Sequence, residues 1–198
     1  MKIKMTREFI QKLPKTDLHV HLDGSVRIPT IIDLAKSQNI KLPTMDEKEL
    51  HKLIVCGEHT VSLNDYLRGF DIVNLVLQSK EGLKRAAYEL AEDAANENVR
   101  YMEVRYSPIL HTHKGLKLTE ISQAVIDGLK QGERDFGIQT GVIICGIRNM
   151  DPNTSLKLAE LAIAFKNKGV IGFDLAGGEY NHPAKDHKDA FDLALKNN

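Results

Sequence analysis

The stretch Leu18-His19-Val20-His21-Leu22-Asp23-Gly24 decides how the chain is read. Two histidines stand one residue apart in an apolar run, followed by a carboxylate and a glycine. If residues 16–22 form a strand, side chains alternate between its two faces. His19, His21 and Asp23 then share one face, and Leu18, Val20 and Leu22 take the other. Two imidazoles converging from one strand end begin a metal site. A carboxylate at the following turn can meet a ligand. The competing reading is two unrelated surface histidines, and the strand-like flanks and the Asp-Gly turn count against it.

The sequence around this stretch alternates strand and helix. Strands are expected near residues 17, 99, 138 and 170, each followed by helical periodicity. Residues 1–12, with Lys2, Lys4, Phe9 and Ile10, read as a short helix or arm whose Phe9, Ile10 and Leu13 can dock on the body. Ile28-Pro29-Thr30 opens a helix, with proline in its first turn and Asn39 as a stop. Thr44-Met45-Asp46-Glu47 reads as a capping box and Ser62 as a second cap. Residues 44–78 thus form a helical insertion. In it Leu63, Tyr66, Leu67 and Phe70 fall on one stripe, which is ordinarily core.

Farther along, Ser79 caps a helix with Leu83, Ala86, Ala87 and Leu90 on one face. In the strand at 99–106, Tyr101, Glu103 and Arg105 share a face, and a buried glutamate and arginine need partners. A structural ion pair is favoured there over direct substrate contact. His111-Thr112-His113 repeats the His-x-His pattern without strand alternation and reads as loop histidines. Gly137 ends the next helix, and a strand follows at 138–147. Asp151-Pro152 caps a helix that Gly169 closes. The strand at 170–176 ends in Gly177-Gly178, and His182-Pro183 leads to a last helix with Phe191, Ala194 and Leu195 apolar.

Repeated strand–helix units indicate a parallel α/β architecture. No Gly-x-Gly-x-x-Gly follows the first strand, which argues against a dinucleotide fold. Candidate ligands sit instead at the C-terminal ends of strands, as on the active face of a TIM (β/α)8 barrel. Eight such units usually need about 250 residues, and four are expected in the 198 here. The fold expected is therefore an α/β, TIM-barrel-type chain with about the first four βα units, read as a single unit over residues 1–198.

Composition narrows the function classes. Lysine plus arginine equals aspartate plus glutamate at 27 each, so the formal net charge is zero. No basic stripe points to nucleic acid, and no apolar run approaches membrane-spanning length. Cys56 and Cys145 lie far apart, without metal spacing or a disulfide framework. No signal peptide is visible, and a cytoplasmic, soluble protein is expected.

Three blocks of the sequence resemble the adenosine deaminases of the metal-dependent amidohydrolase superfamily. They are residues 13–25 around His19 and His21, Tyr101-Met102-Glu103-Val104-Arg105-Tyr106-Ser107-Pro108, and Gly172-Phe173-Asp174-Leu175-Ala176-Gly177-Gly178-Glu179. His-x-His alone is common to many metal hydrolases, whereas the three blocks in order are specific. The resemblance implies a Zn2+-dependent hydrolytic deamination of adenosine, and of 2'-deoxyadenosine, to inosine and ammonia in purine salvage. It matches His19 and His21 to zinc ligands and Asp23 to the carboxylate that binds the ribose hydroxyl. His21 is expected to face the substrate as well. Gly177 matches the glycine whose backbone N–H meets a purine ring nitrogen. Leu63, Tyr66, Leu67 and Phe70 match a hydrophobic lid over the nucleoside, within a lid-like insertion at 44–78.

The sequence departs from the family's pattern in two ways. Position 178 is glycine where many relatives carry aspartate. The third histidine ligand, the His-Ala-Gly-Glu block with its proton-handling glutamate, and the paired aspartates do not occur in these residues. The resemblance places the proton-transfer residues beyond Asn198, so no catalytic residue is assigned within the chain. The chain is expected to be inactive alone, and to pair with the missing C-terminal half of the barrel or with itself. The alternatives are an adenine or other adenosine-like aminohydrolase, and a metal-free half-barrel acting as an interaction module.

Overall fold

The computed structural model describes residues 5–57 and 62–197. The expectations for Lys2 and Lys4 lie outside the described residues. Four strands, β1 (Lys15–His21), β2 (Val99–Tyr106), β3 (Gln139–Ile147) and β4 (Val170–Ala176), form one parallel sheet in the order β1-β2-β3-β4. Each strand pairs with its sequence neighbour, as successive βα units of a barrel do. All four C-terminal ends therefore lie along one edge, and the expected partial (β/α)8 architecture is present.

The helices follow from local chemistry. A short α1 (Arg7–Lys12) begins at Thr6, whose hydroxyl accepts from the Phe9 N–H. It buries no residue, and Ile10 and Leu13 are exposed instead of docked. Pro29 stands in the first turn of α2 (Ile28–Ser37), and Asn39 beyond it takes a left-handed φ of 53°. The capping box at 44–47 forms differently. Asp46 caps α3 (Glu47–Ile54) by accepting from Glu49 N–H at 2.9 Å, while the Thr44 hydroxyl accepts from the Asp46 N–H. An ionised carboxylate is a stronger acceptor for the helix than the threonine two residues earlier. Next come α4 (Leu63–Val76), which starts directly after Ser62, and α5 (Lys80–Asn96), capped by Ser79.

Residues after β2 form a 3-10 turn at Pro108–His111, then α6 (Leu118–Phe136), closed by Gly137 at a φ of 69°. Asp151 caps α7 (Pro152–Ala164) as expected, but the helix ends well before Gly169. Asn167 turns the chain at a left-handed φ of 67°, and Gly169, at 131°, leads into β4 instead of closing a helix. A second 3-10 turn, Ala184–His187, precedes α8 (Lys188–Lys196).

The core lies between the sheet and the helices that follow its strands. Met102, Val104, Val142 and Ile144 from β2 and β3 meet Ile31, Leu83, Ile121, Leu129 and Leu158. Glycines let α5 and α6 approach closely: a Cβ at Gly128 would stand 2.3 Å from the Lys84 carbonyl oxygen. His111 belongs to this interior. It is fully buried beside the Tyr106 ring, so it is a core histidine and not a loop one, while His113 donates its N–H to Gln78. The two cysteines are free, Cys56 exposed and Cys145 buried. Beyond β4 the surface is partly apolar, with Lys130, Lys166 and Asn197 among the apolar side chains. Ile171 and Leu195 are exposed beside a cavity of about 700 Å³ lined by Gly172, Phe173 and Phe191. Among the described residues, no helix is long and apolar enough to cross a membrane.

Candidate active site

The first strand carries its polar face to the sheet's C-terminal edge. β1 is an outer strand whose register against β2 breaks between Asp17 and Val20. The alternation is consequently only half rewarded by burial: Leu22 is fully buried, Val20 half-buried, and Leu18 exposed. On the opposite face His19 and His21 stand together, with ring centroids 5.4 Å apart. The strand ends at His21, and Asp23 lies in the turn that follows.

Both imidazoles aim their Nε2 atoms at one nitrogen. Arg105 Nη1, from the adjacent strand, lies 2.5 Å from His19 Nε2 and 3.1 Å from His21 Nε2. Register explains the meeting, since His21 is the direct neighbour of Arg105 in the sheet. A guanidinium nitrogen can only donate, so both Nε2 atoms accept and each ring carries its proton on Nδ1. The His21 Nδ1 faces Asp23 Oδ1 at 4.0 Å. Burial, and then the charge of Arg105, push the His21 pKa down to about 4, which keeps its ring neutral near pH 7.

Arg105 and Glu103, on one face of β2, find separate partners. Arg105 pairs through Nη2 with Asp174 of β4, while Glu103 accepts from the Tyr101 hydroxyl at 2.9 Å. Asp23 is 5% exposed, and its Oδ1 has no hydrogen-bond partner. Burial raises its pKa to about 6, offset in part by its own and Gly24's backbone N–H groups. A carboxylate oxygen held in that condition is a strong acceptor awaiting a donor.

Helix α4 supplies an aromatic wall. Phe70 meets the His21 ring edge-on at 5.6 Å, and Tyr66 meets Phe70 at 5.0 Å. Gly24 permits this closeness, because a Cβ there would come within 3.3 Å of the Phe70 ring and 3.1 Å of the His21 Cβ. Of the expected stripe, Tyr66, Leu67 and Phe70 are half-buried and Leu63 is exposed; none joins the core, where α4 instead contributes Val73 and Val76. A cavity of about 390 Å³ opens between Asp23, Ile54, Cys56, Tyr66 and Phe70. At the far side of the sheet edge, Gly177 follows β4 with a φ of 96°, and a Cβ there would stand 3.3 Å from Asn149 Oδ1. A Cβ at Gly178 would meet nothing within 4 Å.

The sequence reading missed Arg105 and Asp174 as neighbours of the histidines. The signal available was an arginine and an aspartate on strand faces near C-terminal ends, with no way to pair them. As metal donors, the two imidazoles point their Nε2 atoms to a common point already held by a cationic group. Such a pair fits zinc as two of the roughly three protein ligands that a catalytic site uses. Among the described residues, no group of three or more His, Cys, Asp or Glu side chains gathers around one point.

Comparison with known proteins points to the same family. A family model described as adenosine deaminase matches residues 14–198. The adenosine deaminase of Enterococcus faecalis is 46% identical over 190 residues, covering 96% of this chain and 56% of that protein. The solved structure of an amidohydrolase from Burkholderia ambifaria with bound Zn superposes with a TM-score of 0.84 at 26% identity, over 98% of this chain and 53% of that one. The adenine deaminase of Arthrobacter aurescens gives a TM-score of 0.82 at 26% identity, over 92% and 54%. The chain spans about half the length, or less, of the curated relatives it matches.

Proposed function

Because this chain belongs to the adenosine deaminase family, we propose that it supplies the metal-anchoring and substrate-holding side of a zinc-dependent adenosine aminohydrolase. The observation that carries this reading is the convergence of His19 Nε2 and His21 Nε2 on one point beside the buried, unpartnered Asp23 oxygen. His19 and His21 would hold the ion. The chemistry a bound zinc supplies is Lewis-acid activation of water near neutral pH.

The chain's own residues do the rest of this half of the work. Asp23 accepts a hydrogen bond from a ribose hydroxyl, which satisfies Oδ1 and favours its ionised form. The Gly177 backbone N–H approaches a purine ring nitrogen at a position whose φ of 96° disfavours a side chain and where a Cβ would press on Asn149. Tyr66, Leu67 and Phe70, with Leu63 at the rim, act as a lid from the 44–78 insertion and exclude water from the base. The exposed apolar side chains beyond β4, Ile171 and Leu195, suit coverage by further barrel units. The proton-transfer residues are not assigned to this chain.

An adenine deaminase is the second reading, favoured by the Arthrobacter neighbour. Asp23 weighs against it, because a free base has no hydroxyl to donate there. Two measurements test the proposal in an intact protein carrying this segment. His19→Ala and His21→Ala should each remove most of the bound zinc, and full zinc content in both would reject the ligand assignment. Asp23→Ala should weaken adenosine binding by about 1.5–3 kcal/mol, the worth of a charge-assisted hydrogen bond, while zinc stays in place. Faster turnover of adenine than of adenosine would replace the first reading with the second.

A further inference from the structure

We propose that Arg105 is a built-in competitor for the metal site: its guanidinium stands at the point on which His19 and His21 converge, and it yields that point to zinc by withdrawing onto Asp174. The inference rests on the metal reading above and adds a competitor and its resting place.

The geometry carries both halves. Nη1 donates to both imidazole Nε2 atoms, at 2.5 and 3.1 Å. Those are the lone pairs a zinc ion would use at about 2.0–2.1 Å. Two cations cannot occupy the same converging lone pairs, so the guanidinium and the metal exclude one another. The guanidinium is also not fully seated where it is. Nη2 reaches Asp174, yet Nε is buried with no partner. A guanidinium drawn fully onto Asp174 could offer Nε and Nη2 together, in the two-pronged arrangement that carboxylates favour. The orphaned Nε thus marks a second position that satisfies a donor left unsatisfied in the first. Asp174 is steadied for this role, since its Oδ1 accepts from the Leu175 N–H at 2.7 Å.

A competitor that occupies the site most of the time lowers apparent affinity by the fraction of time the site is free. Removing it should tighten metal binding, and removing its resting place should weaken binding. The test is titration of the full chain with Zn2+ against a chromophoric chelator, with far-UV circular dichroism to establish folding. Arg105→Leu should bind Zn2+ about tenfold more tightly than the unaltered chain, corresponding to a guanidinium that leaves the site free about a tenth of the time. Asp174→Asn should bind more weakly. In the Arg105→Leu background, Asp174→Asn should lose most of its effect, because Asp174 then has no arginine to hold.

Unchanged or weaker Zn2+ binding by folded Arg105→Leu overturns the proposal, as does an Asp174→Asn effect that persists undiminished without the arginine. If Arg105→Leu does not fold, Asp174→Asn decides alone, and unchanged or tighter binding overturns it. The metal reading fails separately: Zn2+ binding by the chain and by Arg105→Leu that is indifferent to His19→Ala and His21→Ala would remove the site itself.

Discussion

Replacing His111 with leucine should make the fold less sensitive to acid. His111 is fully buried, and neither ring nitrogen makes a hydrogen bond. Burial pushes its pKa from 6.5 down to about 4, with the Leu77 backbone offsetting part of the effect and His113 adding slightly to it. The folded pKa is therefore below the unfolded one. Between pH 6.5 and 4 the unfolded chain takes up a proton that the folded chain refuses, so stability is full above 6.5 and is lost as pH falls toward 4. The whole gap is worth about 3 kcal/mol. Between pH 7.5 and 5.0 it amounts to about 2 kcal/mol. Leucine has a similar volume and no nitrogens to leave unpaired, so the variant should be no less stable at pH 7.5. Urea unfolding of both proteins at pH 7.5 and 5.0 measures the difference. His21, whose pKa is also depressed, is common to both and cancels. Equal losses of stability between the two pH values would show that His111 does not stay neutral in the interior, and would refute the reasoning.

Three further outcomes are expected. Gly128→Ala should destabilise the fold by about 1–3 kcal/mol through overpacking, because its Cβ would press on the Lys84 carbonyl and the Ala87 methyl where α5 meets α6; an unchanged urea midpoint would contradict the close crossing. Phe70→Ala should cost much less than the about 3–5 kcal/mol typical of a core phenylalanine, since Phe70 stands outside the core, while adenosine affinity falls in an intact protein carrying the segment; a full core-sized loss with unchanged affinity would make the α4 stripe ordinary packing. Residues 1–198 alone should release no ammonia from adenosine with zinc added, because the described residues gather two imidazoles where catalytic zinc uses about three protein ligands; robust turnover would overturn that inventory of parts.

Much of this protein was legible in sequence because it is local. Strand alternation in residues 16–22 depends only on the period-two geometry of extended chain, and it brings His19 and His21 to one face. Asp151-Pro152, Gly137 and Asn39 act within a single turn of backbone, and each stands where its chemistry predicts. Four strand–helix units imply a parallel sheet because a parallel pair needs a crossover between its strands. Side-chain partners across the sheet were not legible. Arg105 meets His19 and His21 across more than eighty residues, and Asp174 two strands away, through a register that no single strand encodes. The same holds for His111, which lies in a stretch that reads as loop and is buried by a 3-10 turn against Tyr106. It also holds for Gly169, which leads into β4 instead of closing α7. Local periodicity chose the elements and the faces. The packing of those elements decided which charges meet, which polar atoms go unpaired, and hence where a ligand would be held.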